Sequence, residues 1–136
     1  LDALASLNTD EPIVRLIDPV CRVTHLNGRR ERALRPWAAC DQLLLKTISR
    51  GEFVVNGFRN RDILTCLCPE AVPSADEKRR MSAGVTRKLR LLRAHRINKK
   101  LPKSHRYSMT AKGRRIVSAI MKYETATLEQ LEKAAA

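Results

Sequence analysis

The residues with the clearest chemistry in this 136-residue chain are its arginines and lysines, whose side chains bind phosphate groups. The chain carries 27 Lys and Arg against 14 Asp and Glu, a formal net charge of +13. Between Ala75 and Arg115 there are 15 basic residues and only Asp76 and Glu77 as acidic ones, so this segment holds the whole net charge. Such segregation indicates a polyanion-binding surface, because neutralising phosphates releases condensed counterions. The alternative is a solvated basic face without a partner.

The other reactive side chains form no recognisable catalytic set. The four cysteines (Cys21, Cys40, Cys66 and Cys68) are too sparse for a disulfide scaffold, which predicts free thiols in a reducing compartment. The three histidines are scattered, and no catalytic Ser/His/Asp order, paired carboxylates, glycine-rich phosphate loop or His-Glu-x-x-His helix is present. The sequence therefore predicts a protein that is not an enzyme and needs no cofactor or metal.

Hydropathy and the first residues predict where the chain acts. No uninterrupted apolar run reaches about 18 residues, which argues against a membrane span. The first residues lack the basic leader of a signal peptide. We therefore expect a cytoplasmic, nucleoid-associated protein with no membrane partner.

A short hairpin is predicted ahead of the helices. Strands over residues 20–26 and 30–34 flank Asn27-Gly28, a pair that readily adopts the positive φ angles of a two-residue type I′ turn. Residues 1–36 are therefore assigned to an N-terminal extension with a β-hairpin. Trp37 is expected to anchor this hairpin to the helices.

Two short helices should follow the hairpin. Leu44, Leu45 and Ile48 have helical spacing, so we expect a helix over 41–50 that is capped by its first residue, Asp41, and ends at a left-handed Gly51. Residues 53–55 then read as an apolar link. A second helix is predicted over 61–67, capped by Asn60 and stopped by Pro69.

A long basic helix is predicted from Ser74 to about His95. Ser74 and Glu77 have the spacing of a capping box, and Gly84 suggests a bend or a two-part helix. At about 100° per residue the helix has one apolar and one small, cationic face. The apolar stripe contains Met81, Val85, Leu89 and Leu92; the opposite side contains Arg79, Ala83, Arg87, Arg90 and Ala94, with Thr86 and Arg93 at its flank.

A second hairpin and a last helix complete the pattern. Residues 97–101 and 106–110 alternate as two short strands joined by a turn over 102–105. Thr110 is expected to cap a C-terminal helix that breaks within 124–127, where Thr127 could start a second capping box. The predicted fold is mainly α with a small β-hairpin wing, a winged helix-turn-helix domain over 37–123 followed by a helix over 124–136.

Two segments resemble winged-helix transcriptional regulators of the MarR and PadR type. The first is Thr86-Arg-Lys-Leu-Arg-Leu-Leu-Arg-Ala-His-Arg-Ile97, with the Leu-x-x-Leu pattern at Leu89 and Leu92, and the second contains Tyr107-Ser-Met-Thr-Ala-Lys-Gly113. The resemblance covers roughly residues 41–122. One departure is Arg96, which stands where the turn after the recognition helix usually has Gly, so a differently built turn is expected.

The resemblance implies sequence-specific or semi-specific binding of double-stranded DNA, with a role in transcription regulation. The second half of the long helix would enter the major groove with Arg87 and Arg90 on base edges, while Arg79 and Arg80 meet phosphates. The wing tip would meet the adjacent backbone or minor groove, and the start of the last helix would add phosphate contacts. The expected DNA-binding residues are Arg79, Arg80, Ala83, Thr86, Arg87, Arg90, Arg93, Lys103, Ser104, His105, Arg106, Lys112, Arg114 and Arg115. An apolar edge at Leu128 and Leu131 suits a homodimer.

Three other functions stay open at the sequence level. Winged helices also serve as protein–protein assembly modules, although a neutral face would suit that role better. Cys66 and Cys68 resemble the Cys-x-Cys of arsenic- and zinc-sensing winged-helix repressors, which would make the chain a thiol- or metal-sensing repressor; core packing of the thiols is the alternative. RNA binding lacks an aromatic platform for stacking bases.

Overall fold

The computed structural model describes residues 15–68, 70 and 74–135, which form a mainly helical fold with two small antiparallel sheets. This confirms the predicted α-rich class with two hairpins, while the stop at Pro69 lies outside the described residues. A helical turn over 15–17 leads into a 3-10 turn (Asp18–Cys21). The elements that follow are β1 (Thr24–Leu26), β2 (Arg29–Glu31), α1 (Ala39–Ile48), α2 (Gly51–Asn56), β3 (Phe58–Arg59), α3 (Asn60–Leu67), α4 (Ala75–Ala94), β4 (Asn98–Lys100), β5 (Arg106–Met109) and α5 (Ala111–Ala135).

The first sheet is the predicted N-terminal hairpin. β1 pairs with β2 from Thr24↔Glu31 to Leu26↔Arg29. Asn27 and Gly28 both have positive φ (53° and 78°), as a type I′ turn requires. The strands are shorter than expected because the preceding chain enters the 3-10 turn instead of continuing the ladder.

The second sheet contains a strand that the sequence pattern did not predict. β3 pairs with β5, which pairs with β4, giving the order β3-β5-β4. Phe58 is fully buried and stacks on Tyr107 with ring centroids 6.1 Å apart. Gly57 precedes β3 with φ 75°, and a Cβ atom there would lie 2.6 Å from the Tyr107 carbonyl oxygen. Glycine at this position therefore lets the chain approach β5.

The segment between α1 and α3 also differs from the prediction. Gly51 has no left-handed φ; it is the first residue of α2. Residues 53–55 are part of that helix and not an extended link. The reason is packing, because helical geometry lets Phe53 bury its ring against Phe58 at a centroid distance of 6.0 Å.

Two expected caps act elsewhere. α1 begins at Ala39 with no side-chain cap, and Asp41 lies within its first turn. The Asp41 carboxylate instead accepts two hydrogen bonds from Arg32, at 2.8 and 2.9 Å. At α3 the N-cap residue is Arg59, whose amide donates to the Asp62 carboxylate at 2.8 Å, whereas Asn60 is already helical. The position of a polar residue near the start of a helix therefore did not predict which group its side chain binds.

The two long helices are continuous. Ser74 Oγ accepts from the Glu77 amide, which confirms the N-cap of α4, and the helix passes through Gly84 without a break. Thr110 Oγ1 accepts from the Gly113 amide at 2.9 Å and caps α5, as predicted. The predicted break within 124–127 is wrong: Thr127 donates to the Tyr123 carbonyl from within the helix.

The core is built almost wholly from aliphatic side chains of both long helices and the short ones, with Phe53 and Phe58. Its fully buried members include Leu44, Leu45, Ile48, Ile63, Leu89, Leu92, Ile97, Ile116 and Ile120. Trp37 lies outside this core, 52% exposed, and packs on Tyr123 of α5 at 5.1 Å. Its contact is thus with the last helix. None of the helices in the described ranges is long and apolar enough to cross a bilayer.

Candidate nucleic-acid interface

The N-terminal half of α4 presents the predicted small and cationic face to solvent. Val85, Leu89 and Leu92 are buried in the core, and Met81 is half-buried, as the apolar stripe predicts. The exposed side of this half contains Arg79, Arg80, Ala83, Thr86 and Arg87. Asp76 and Glu77, both in the first turn, are the acidic residues of α4. Beyond that turn the exposed face of α4 carries positive charge alone.

Asn60 connects the start of α3 to this face. Its Nδ2 donates to the Ser82 carbonyl at 2.9 Å and to Thr86 Oγ1 at 2.8 Å. Its Oδ1 accepts from the Ser82 hydroxyl at 3.1 Å. All polar atoms of the amide are thereby used to fix α3 against α4. The sequence pattern suggested only a cap here, since the cross-helix contact spans 22 to 26 positions.

A shallow depression lies along the exposed side of α4. It is lined by Lys78, Arg79, Ser82, Ala83 and Thr86, with Ala75 at one end. The side chain at its centre, Ala83, is small, and the surrounding side chains carry hydroxyl groups and positive charges. This arrangement permits close approach of a flat or grooved polyanion, because the short side chains leave the helix backbone accessible.

The C-terminal half of α4 is covered by the β1–β2 hairpin. Leu91 and Ala94 are buried, which corrects the expectation that Ala94 lies on the solvent face. The Arg90 side chain is only 30% exposed, and its Nε donates to Glu31 of β2 at 2.7 Å. The face of α4 is therefore divided: its first half is open, and its second half, which the sequence predicted to enter the major groove, carries the hairpin. The helical wheel alone could not show this cover.

Polar contacts hold the hairpin and the chain after it against the helices. The Arg32 guanidinium binds Asp41 of α1, and the Arg32 carbonyl accepts a 2.7 Å hydrogen bond from His95 Nε2 at the end of α4. Burial, outweighing the opposing hydrogen bond to the Arg32 carbonyl and the acidic groups nearby, lowers the pKa of His95. The hydrogen bond to that carbonyl requires a proton on Nε2. Burial alone would raise the pKa of Asp41, but the hydrogen bonds and charges of Arg32 and the Arg35 amide lower it.

The tip of the β4–β5 hairpin is exposed and basic. Lys103 and His105 face solvent, and Lys103 has a positive φ of 56°. Ser104 is used structurally: its Oγ accepts from the Arg106 amide and donates to the Leu101 carbonyl. The Arg106 guanidinium donates to the Asn56 carbonyl at 2.8 Å, which holds it away from the tip.

Further cations surround this tip. Arg93 at the end of α4 lines a groove with Lys100, Lys103 and His105. Lys99 and Lys100 are exposed on β4; they belong to the basic stretch, but strand alternation alone did not single them out. In the first turns of α5, Arg114 and Arg115 are exposed and Lys112 is half-buried. The structure thus brings most of the basic stretch onto α4, the hairpin beyond it and the start of α5.

The turn after α4 is left-handed despite its arginine. Arg96 has φ 60°, so the expectation of a differently built turn is wrong. Thr110 Oγ1 donates to the Arg96 carbonyl at 2.7 Å, and the Ile97 amide donates to the Leu92 carbonyl at 2.9 Å. These bonds impose the conformation that glycine usually allows at such a position.

The four cysteines are free thiols. Cys66 is half-buried, and its Sγ accepts a 2.9 Å hydrogen bond from the Arg50 guanidinium. Across residues 15–68, 70 and 74–135, no group of three or more His, Cys, Asp and Glu side chains is placed to hold a metal ion.

Comparison with known proteins adds no relative to this geometry. No family model, curated protein or solved structure matches the chain. Inference about function therefore rests on the charge, burial and hydrogen bonds of its own residues.

Proposed function

We propose that this chain is a winged helix-turn-helix protein that binds double-stranded DNA and regulates transcription without enzymatic activity. The order α1, β3, α3, α4, β4, β5 and the strand order β3-β5-β4 support this fold. In such a domain α4 would be the recognition helix and the β4–β5 hairpin the wing.

The observation that carries the proposal is the open half of α4. Its exposed face combines the small Ala83 with Arg79, Thr86 and Arg87, and beyond the first turn it contains no acidic residue. The major groove is about 12 Å wide and admits a helix, and arginine can bind guanine O6 and N7 together. Arg79 and Arg87 are the proposed base-contacting residues, with Ala83 and Thr86 at the closest approach.

The surrounding cations are proposed to bind phosphates. Arg80 and Arg93 flank the face on α4, Lys103 and His105 lie at the wing tip, and Arg114 and Arg115 begin α5. Arg90, which is bound to Glu31, is proposed to position the hairpin and not to read bases. Ser104 and Arg106 likewise shape the wing through their hydrogen bonds.

The two exposed leucines near the end of α5 support pairing of two copies. Leu128 and Leu131 are 53% and 62% exposed on a helix whose described residues after Glu124 face solvent. A dimer through this segment would place two recognition helices on one duplex. Sedimentation of the wild type and of L128A/L131A tests this: the wild type is expected to be dimeric and the variant monomeric. A wild-type monomer contradicts it.

DNA binding is tested by one charge placed in two positions. Ala83→Glu puts a carboxylate at the centre of the open face, whereas Ala126→Glu makes the same change on an exposed turn of α5. Binding to a random-sequence 30-base-pair duplex is measured by fluorescence anisotropy across a salt series. We expect wild-type affinity to fall steeply with salt, A83E to bind at least tenfold more weakly, and A126E to bind nearly as the wild type does.

Two results would contradict the proposal. Absence of wild-type binding even at low salt would remove DNA as the partner. Equal losses in A83E and A126E would show that only net charge matters and that α4 is not the contact. Circular dichroism of both variants checks that their helices are intact, since both alanines lie on exposed helix faces.

A further inference from the structure

A cationic groove lies between the β1–β2 hairpin and α4. Arg29 and Arg30 line it from the hairpin side, and Arg87 and Lys88 line it from the helix side. We name it the hairpin groove. It is open to solvent and has a volume of about 480 Å³, which is room for a phosphate group with part of its water shell.

The charges of the hairpin groove are unbalanced. Glu31 is the acidic residue of the groove, and it is already bound to Arg90 at 2.7 Å. Among the described residues, Arg29, Arg30 and Arg87 make no ion pair. Like charges brought together in this way repel each other, and an anion bound between them removes that repulsion. The groove is thus suited to phosphate.

The hairpin groove is held in shape by the contacts beneath it. The Glu31–Arg90 pair joins β2 to α4, and His95 joins the end of α4 to the Arg32 carbonyl. Groups fixed before binding lose little conformational entropy when the ligand arrives, which favours a defined anion site over a diffuse basic surface. The hairpin backbone that carries Arg29 and Arg30 is therefore held at a set position beside the helix.

The groove is continuous with the open face of α4, because Arg87 belongs to both. We propose that the hairpin groove binds a backbone phosphate of the same duplex whose major groove receives α4. This inference rests on the proposed function. It gives residues 29–30, to which the sequence analysis assigned no role, a place at the flank of the DNA interface, and it makes the N-terminal hairpin a second wing.

The test compares two removals of the same charge. R29A/R30A takes two charges from the groove, and K122A/K133A takes two from exposed positions of α5. Both are titrated against the random-sequence 30-base-pair duplex over a range of potassium chloride concentrations. Affinity falls as salt rises, so the slope of log affinity against log salt is negative. We expect R29A/R30A to reduce the magnitude of this slope by about one and to weaken binding roughly three- to tenfold. K122A/K133A should keep the wild-type slope.

Two further variants separate charge from fold. R29K/R30K keeps both charges and should keep the slope. R29Q/R30Q keeps a polar, hydrogen-bonding side chain but removes the charge, so it supplies the same test if the alanine variant proves unfolded by circular dichroism. An unchanged slope in the folded neutral variant, with the wild type still binding DNA, overturns this inference and leaves the proposed function standing. If the wild type does not bind DNA, both this inference and the proposed function are overturned.

A phosphate arm distinguishes the backbone of DNA from a free phosphate compound. The wild type is titrated in potassium phosphate and in potassium chloride of equal ionic strength. Stronger inhibition of DNA binding by inorganic phosphate that disappears in R29A/R30A supports the backbone site, because free and backbone phosphates then compete for one groove. Inorganic phosphate that binds the wild type but not R29A/R30A in isothermal titration calorimetry, and leaves DNA affinity unchanged, assigns the groove to a small phosphate ligand and overturns its place on DNA.

Discussion

The two hairpins of this fold look alike in sequence but are held by different forces. Each joins two short antiparallel strands and carries exposed basic residues, on β2 in the first hairpin and on β4 and the tip in the second. The β4–β5 hairpin gains a third strand in β3, and the Phe58 ring stacks on Tyr107 beneath it. Within the described part of the chain the β1–β2 hairpin pairs with no further strand, and two strands alone are marginally stable in water. It depends on α4, through Glu31 and Arg90, and on the chain that follows it.

The β4–β5 hairpin is thus attached through backbone hydrogen bonds and apolar packing, and the β1–β2 hairpin through charged groups. The β4–β5 hairpin is fixed by backbone pairing and close packing, which change little with pH or salt. The N-terminal hairpin is fixed through ionised groups, which respond to both. If both hairpins touch DNA, the contact made by the N-terminal hairpin should be the more sensitive of the two to pH and salt.

Glycine substitutions are expected to show the largest contrast between the two hairpins. G57A must place a Cβ atom 2.6 Å from the Tyr107 carbonyl oxygen, at a residue with φ 75°. We expect it to lower the free energy of unfolding by about 3 kcal/mol. G28A meets the same unfavourable sign of φ but has open space around its Cβ, so about 1 kcal/mol is expected.

Urea unfolding followed by circular dichroism measures both variants. The fluorescence of Trp37, the one tryptophan in the sequence, gives an independent transition, since its ring packs on Tyr123 of α5. Similar losses for G57A and G28A would show that the chain around the β4–β5 hairpin packs no more tightly than the β1–β2 hairpin does.

How far the sequence predicts this structure depends on the range of the interaction. The turn at Asn27-Gly28 and the caps at Ser74 and Thr110 are local, and they are confirmed. The pairing of β3 with β5 joins residues nearly 50 positions apart, and only the folded chain reveals it. A two-residue strand has too little alternation for a pattern to detect.

The candidate site shows the same limit. The exposed cationic side of α4 follows from helical periodicity, so Arg79, Ala83 and Arg87 lie where the pattern places them. Arg90 occupies the same side of the helix wheel, yet its partner Glu31 is 59 positions away. A wheel treats every residue on one side as solvent-facing. Tertiary cover by the hairpin breaks that assumption at the second half of the helix.

The ion pair between the hairpin and α4 gives the next prediction. E31Q removes the charge that compensates Arg90, at a carboxylate that is 10% exposed, and we expect a loss of about 2 kcal/mol in unfolding free energy. E124Q removes the partner of Lys46 from a more exposed pair, and a loss of at most about 0.5 kcal/mol is expected. Urea unfolding at low and high salt measures both. Equal small losses would mean that the hairpin is not attached through charge.

Arg96 lies in the turn between α4 and β4, and replacing it should change stability less and in the opposite direction. Its φ of 60° is unfavourable for a residue with a Cβ atom, so R96G is expected to raise the free energy of unfolding by about 0.5 kcal/mol after the entropy of the unfolded glycine is counted. N27G is the control, because asparagine tolerates the φ of 53° that it has in the first hairpin, and no gain is expected there. Thermal unfolding compares the two, and a loss in R96G would assign a stabilising contact to the arginine.

The pH response should be the smallest effect and the one that distinguishes the hairpins most directly. Burial lowers the pKa of His95, whose Nε2 donates to the Arg32 carbonyl. Because the folded pKa lies below the unfolded one, the contribution to stability is complete above about pH 6.5 and is lost as the pH falls from there through the folded pKa. Asp41 also has a lowered pKa, but its contribution is lost only in more acidic solution, below about pH 4.

A step in stability between pH 7.5 and 5.5 is therefore expected to come from His95. H95Q, which keeps a donor for the Arg32 carbonyl but does not titrate, should be less stable at pH 7.5 and should lack the step. Urea unfolding at the two pH values measures this step. Protonated His95 still donates from Nε2 to the Arg32 carbonyl, so the difference in DNA affinity between R29A/R30A and the wild type should persist at pH 5.5. Anisotropy at the two pH values measures that difference, and its disappearance at pH 5.5 would mean that the charge buried at His95 releases the hairpin.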